Sequence, residues 1–107
     1  MAYMVVLVAT SSREEAEKIV DVLLKEKLIA CANVLGPVSS SFWWKGKVDH
    51  TEEYIVFMKT EERMFEDLVE SVRRVHSYEV PEIIALPIIK GFKPYLEWIG
   101  ENIKSGG

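Results

Sequence analysis

Glutamine does not occur in this chain of 107 residues, asparagine occurs only at Asn33 and Asn102, and cysteine only at Cys31. A lone cysteine excludes an internal disulfide and any CxxC redox or zinc pair, and it suits a reducing compartment. The two histidines, His50 and His76, are too far apart to share a helix face, so no zincin-type motif is present. No run of lysines or arginines exceeds a pair and the formal net charge is −4, against the positive footprint of a general nucleic-acid binder. The apolar stretch at the N-terminus, "MAYMVVLVATSS", is too short for a membrane span and has no basic lead-in, so a first strand and a cytoplasmic protein are expected. There is no phosphate-cradling glycine loop, no nucleophile elbow and no Ser-His-Asp set that the sequence brings together, so an enzyme is not expected. The scarcity of thermolabile amides beside abundant Glu and Lys hints at a thermophilic source.

What is present is the composition of a packed protein, 49% hydrophobic and 28% charged, and residues 1–107 are expected to form one domain. Tyr3–Ala9 is apolar without alternation and reads as a buried strand. Two overlapping capping boxes follow, Ser11 with Glu14 and Ser12 with Glu15, opening a helix with the stripe Ala16, Ile19, Val20, Leu23 and Leu24 that ends near Lys27. A second strand is expected from Leu28 to Leu35, bulged at Gly36-Pro37 and continuing through three serines to Trp44. The hairpin turn falls either at Lys45-Gly46-Lys47 or at Asp49-His50-Thr51. Tyr54–Lys59 is a third strand. Thr60-Glu61-Glu62 opens a second helix with the stripe Phe65, Leu68, Val69, Val72 and Val75. Glu82–Ile89 is a fourth strand, placed at an edge because Pro87 cannot donate to a ladder. A last helix after Pro94 carries Leu96, Ile99 and Ile103, and Ser105-Gly106-Gly107 is expected to fray.

The order β-α-β-β-α-β plus a C-terminal helix predicts an α+β, ferredoxin-like βαββαβ sandwich, with strands one and three central and two and four at the edges. Its two crossover helices cover one face of the sheet, yet strands one and three are apolar on both. The uncovered face is therefore expected to meet another subunit. In "SSSFWWKGKV" the strand period points Trp43 and Trp44 to opposite faces, one toward its own subunit and one toward a neighbour, so Phe42, Trp43 and Trp44 are expected at an oligomer interface. The fold alone decides no function. The chain lacks the arginine phosphate loop of acylphosphatases and the aromatic-basic pattern of RNA-binding modules.

The densest polar cluster is His76-Ser77-Tyr78-Glu79 with Glu82 close behind. Imidazole beside carboxylates suits copper or zinc, which makes His76, Glu79 and Glu82 the candidate metal ligands; the alternative is that His76 caps the second helix while Tyr78 packs. Cys31 reads as a buried structural thiol, His50 as a solvated loop residue whose acidic neighbours Asp49, Glu52 and Glu53 could hold a cation adventitiously, and Lys59 as an anion contact or a strand-end charge.

The blocks "LIACANVL", "SFWWKGKV", Lys59-Thr60, "HSYEVPEIIALPI" and "YLEWI", in this order and spacing, resemble the CutA divalent-cation-tolerance family over nearly the whole chain. The resemblance implies a cytoplasmic, non-enzymatic homotrimer, PII-like in assembly, linked to tolerance of copper and other heavy metals and binding divalent metal, Cu2+ above all. It places the family's copper ligands at Ala9, Val75 and His76, so that only His76 keeps a metal-binding side chain, and Ser77 stands where the family has proline. A second reading is a PII-like sensor whose intersubunit clefts take an organic anion, lined by Lys59, Tyr78 and Trp44. A third is a structural trimer that docks another protein.

Overall fold

The computed structural model describes residues 2–105. One antiparallel sheet in the order β2-β3-β1-β4 is built from β1 (Tyr3–Thr10), β2 (Cys31–Trp44), β3 (Lys47–Glu61) and β4 (Ile83–Pro87). Three helices, α1 (Arg13–Lys25), α2 (Phe65–Val75) and α3 (Lys93–Glu101), complete the ferredoxin-like βαββαβ architecture with its added C-terminal helix. β1 and β3 are central, as their apolar composition requires, and β4 is an edge that pairs with β1 alone. The expected fraying at 105–107 falls, but for Ser105, outside the described residues.

α1 starts at one of the two expected boxes. Ser12 is the N-cap and its Oγ accepts from the Glu15 amide at 3.1 Å, while Glu15 Oε1 reaches back to the Ser11 amide at 3.2 Å. The helix stops in a two-bond C-terminal motif: the Lys27 amide donates to Leu24 O and the Leu28 amide to Leu23 O, both at 3.0 Å. That motif needs a left-handed residue, and Lys27 supplies it with φ 57° where glycine is usual. Leu28 and Ile29, expected in the strand, instead lie buried in the connection, and β2 begins at Cys31.

The hairpin turn is the two-residue Lys45-Gly46, with φ of 51° and 79°, the doubly positive geometry whose twist matches the strands it joins. Asp49-His50-Thr51 is not a turn. These residues lie inside β3, opposite Phe42, Ser41 and Ser40. β3 is thus seven residues longer at its start than the apolar block from Tyr54, because the outer hairpin runs beyond the core and carries polar side chains that give no hydrophobic signal. The register slips between Leu35 and Val38, where the Gly36-Pro37 bulge was expected. Strand also replaces helix at Thr60 and Glu61, both buried, before a single 3-10 turn (Glu62–Met64) leads into α2. Glu61 is held there by Arg63 Nε at 2.7 Å.

The core lies between the sheet and α1 and α2: Met4, Val6, Val8, Val56 and Met58 against Ala16, Ile19, Leu23, Leu68 and Val72. The opposite sheet face carries Val5, Leu7, Ile55 and Phe57, half-buried, with Leu35, Ile84 and Leu86 exposed. α3 shields one end of it, where the Tyr95 hydroxyl meets Cys31 Sγ at 3.3 Å and Gly100 lies against the Glu61 carboxylate. The rest stays open in the single chain.

Two backbone substitutions report on this design. Lys27→Gly relieves the left-handed strain and should raise the urea midpoint by the equivalent of about 1 kcal/mol. Gly36→Ala should lower it by more, roughly 2–3 kcal/mol, since Gly36 has φ 151° and a Cβ there would sit 2.5 Å from Tyr54 Cδ2.

Candidate functional site

Helix α2 ends by placing His76 in the interior, its side chain fully buried under the C-terminal end of β1. Its Nδ1 accepts the Tyr78 amide at 3.0 Å, so the proton sits on Nε2, which donates to the Ala9 carbonyl at 2.7 Å. Glu15 Oε2 lies 3.8 Å from Nδ1 and accepts the Ser77 amide at 2.6 Å. The cluster thereby ties together the end of β1, the first turn of α1 and the segment after α2. Burial alone would push the Glu15 carboxyl up; hydrogen bonds from Ser77 and Ser11 and the nearby His76 outweigh it and hold the group below its ordinary 4.5.

Beside this cluster, Tyr78 donates its hydroxyl to Glu53 Oε2 at 2.8 Å. Burial, followed by the Glu53 hydrogen bond and the charges of Glu53 and Glu15, pushes the phenol up to about 12, so it remains a donor at every physiological pH. The bond latches the 77–82 segment to the outer hairpin. Between them opens a cleft of about 770 Å3 whose walls include Phe42, Trp44, Asp49, Thr51, Glu53, Tyr78, Glu79 and Glu82.

The structure divides the expected site residues among three places. Glu79, Glu82, Tyr78 and Trp44 share the cleft. His76 lies beneath it with both ring nitrogens occupied, so it has no lone pair for a metal; it does stand at the C-cap of α2, the other role considered for it. Lys59 is on the open sheet face, hydrogen-bonded to Asn33 and opposite Cys31. It lies twelve positions along β3 from the partner of Trp44, which at strand spacing is about 40 Å. An anion cleft built from Lys59 and Trp44 therefore does not form within a subunit. Cys31 is half-buried rather than buried, and His50 is exposed, its Nδ1 paired with Ser41 Oγ at 2.9 Å. Phe42, Trp43 and Trp44 are exposed in the single chain, Trp43 most of all at 75%. Phe42 and Trp44 line the cleft, and strand alternation turns Trp43 to the other face of the hairpin.

Glu15 was missed as a site residue, and Asp49 and Glu53 were read only as part of an acidic loop around His50. Asp49, Thr51 and Glu53 carried a usable signal, polar side chains two apart and hence on one face of a strand, which is invisible once the stretch is read as a loop.

The fit to a metal can now be judged. Ala9 and Val75 are aliphatic, His76 is committed on both nitrogens, and among the described residues no group of three or more His, Cys, Asp or Glu is placed to hold a metal ion. A copper site at the positions that the resemblance gives the family's ligands, Ala9, Val75 and His76, does not fit this chain, and His76, Glu79 and Glu82 do not form a metal centre within one subunit.

These features define a ferredoxin-like sandwich with an extended hairpin, an open apolar sheet face and an acidic, aromatic-walled cleft. The family model for the CutA1 divalent ion tolerance protein matches residues 4–102. The Archaeoglobus fulgidus divalent-cation tolerance protein CutA is 39% identical over 99 residues, 92% of this chain and 96% of that protein, and its Thermus thermophilus counterpart is 41% identical over 98 residues, 92% and 95%. The plant relatives are longer: the chain spans 56% of the rice chloroplastic protein CutA 1, at 40% identity over 94% of its own length. A solved CutA1 structure from Oryza sativa superposes with a TM-score of 0.96 at 36% identity, covering 99% of this chain and 97% of that one. The Thermus thermophilus Cut A1 structure gives 0.93 at 39%, covering 95% and 99%. The chain belongs to the CutA1 divalent ion tolerance family.

The Glu15 environment predicts an acid limb in stability. A carboxyl lowered in the fold stabilises it above the unfolded value of 4.5, and that contribution is lost as pH falls through the lower folded value. Glu15→Gln should cost on the order of 1–2 kcal/mol at pH 7. Urea titrations from pH 7 to pH 3 should show that deficit shrinking below pH 4.5; a constant deficit would contradict it.

Proposed function

We propose that the chain works as a homotrimeric, non-enzymatic tolerance protein of the cytoplasm that takes up divalent cations, Cu2+ among them. Family membership over residues 4–102 supports the tolerance role. Assembly rests on the open sheet face, where Val5, Leu7, Leu35, Ile55, Phe57, Ile84 and Leu86 lie on one surface, each gaining up to about 1.5–3 kcal/mol from full burial. Among the described residues no helix is long and apolar enough to cross a membrane. The names of relatives point to more than one compartment: the plant proteins are called chloroplastic, and a solved Archaeoglobus fulgidus structure is called periplasmic.

Metal uptake in this reading falls to the exposed carboxylates Glu79 and Glu82, with further ligands from a neighbouring subunit, and His76 supports the fold beneath them. Isothermal titration with Cu(II) tests the division. His76→Ala should leave the isotherm of the wild type unchanged while lowering stability by roughly 1–3 kcal/mol through its stranded partners. Glu79→Gln with Glu82→Gln should weaken binding, and loss of the copper heat in His76→Ala alone would return the histidine to the site. Assembly has its own test: Trp43→Ala should shift light-scattering mass toward the monomer, and an undisturbed trimer would remove Trp43 from the interface.

A further inference from the structure

The turn that joins β4 to α3 is unlike the rest of the surface. Ile89 and Phe92 stand 87% and 76% exposed, with Val80 and Trp43 the barest large apolar side chains among the described residues. Lys90 and Lys93 lie beside them, exposed and without a carboxylate in ion-pair range among the described residues. From Ile83 to Leu96 the sequence holds no acid, in a chain that carries 17. The turn is also fixed at both ends. The Ile88 amide donates to Tyr3 O at 3.0 Å, and Phe92 O accepts the Tyr95 and Leu96 amides at 2.9 and 3.1 Å. Between these anchors Gly91 lies against Leu96, where a Cβ would come within 2.9 Å of Leu96 Cδ2. Tyr3 pairs with Glu61, at the end of β3 remote from the Lys45-Gly46 hairpin turn, so the β4–α3 turn stands at the opposite pole from the outer hairpin.

Single exposed apolar side chains are ordinary. Two in one anchored turn, each next to a lysine, are a pattern, and the size of the patch selects its partner. A stable protein interface buries about 800 Å2 on each side, more than two apolar side chains and two lysine stems provide. A bilayer surface needs no matching contour. Apolar tips enter the boundary between headgroups and acyl chains, while lysines lay their stems on hydrocarbon and leave their ammonium groups among lipid phosphates. The net charge of −4 sets the rest of the chain against an anionic surface, which leaves this acid-free turn as the point of contact.

We propose that the β4–α3 turn docks on an anionic bilayer surface, with Ile89 and Phe92 inserted and Lys90 and Lys93 on lipid phosphates. Contact through one turn is shallow and reversible, unlike a membrane span, and it rests on neither the copper nor the assembly reading.

Flotation with vesicles of equal parts phosphatidylglycerol and phosphatidylcholine, in low-salt buffer, tests it. The wild-type chain should rise with these vesicles and stay behind with phosphatidylcholine alone. Ile89→Asp with Phe92→Asp should lower the partition coefficient on the order of tenfold. Lys90→Gln with Lys93→Gln should lower it as well and flatten its dependence on salt. Val80→Asp, equally exposed but at the other end of β4, should leave it near the wild-type value. These side chains are all exposed, so the urea midpoints of the variants should match the wild type. A wild-type chain that rises with neither vesicle, as would follow if the turn docks a protein instead, overturns the proposal. So does flotation that the Ile89 and Phe92 pair leaves unaltered, or equal flotation on neutral vesicles.

Discussion

A four-stranded sheet whose central strands are apolar on both faces needs two covers, and the helices between its strands supply one. α1 and α2 bury Met4, Val6, Val8, Val56 and Met58, while Leu35, Ile84 and Leu86 on the other side remain about half accessible. α3 is nine residues long and reaches only the end of that face near Tyr3, Cys31 and Glu61. A sequence cannot make these positions polar without weakening the pairing of β1 with β3, where β-branched and aromatic side chains pack across strands. The shape of the whole molecule follows from that shortage of cover: a compact core at one end, and a hairpin that carries Trp43 and Trp44 beyond it toward the space a neighbour would occupy.

The join between core and hairpin is polar. His76, buried, accepts the Tyr78 amide with one nitrogen and with the other reaches the Ala9 carbonyl where β1 gives way to α1. Glu15 serves both as the box residue of α1 and as the acceptor for Ser77. Tyr78 then fastens the segment to β3 through Glu53. The His76 bond to Ala9 satisfies groups that would otherwise be costly to bury. The same set of contacts fixes the wall of the acidic cleft, so His76 supports the surface next to it.

Hydrophobic pattern exposed the parts of the fold that pack against something. β1, the stripes of α1 and α2, the edge position of β4 and the bulge at Gly36-Pro37 were all legible, because each is dictated by burial or by proline's missing donor. The outer hairpin was only half legible: Phe42, Trp43 and Trp44 mark β2, but the facing stretch of β3 from Lys47 to Glu52 is largely polar and gives no hydrophobic signal. Thr60 and Glu61 misled for a related reason, since acids before a helix usually begin it, whereas here the Thr60 hydroxyl is spent on the Leu28 carbonyl inside the strand. Tyr78, Glu79, Glu82 and Trp44, singled out by residue type, line one cleft. The place of His76 at the end of α2 was one of the two readings; its bond to a backbone carbonyl 67 residues away was not, because carbonyls leave no mark in a sequence.

The proposed trimer is the point at which the account is most exposed, since the chain's uncovered sheet face has no other explanation within the fold. Sedimentation equilibrium of the wild-type chain at micromolar concentration measures it directly. The account predicts a single species of three times the 12.2 kDa chain mass that persists on dilution. A stable monomer of 12.2 kDa that stays soluble would contradict it, because the apolar face would then be tolerated in water.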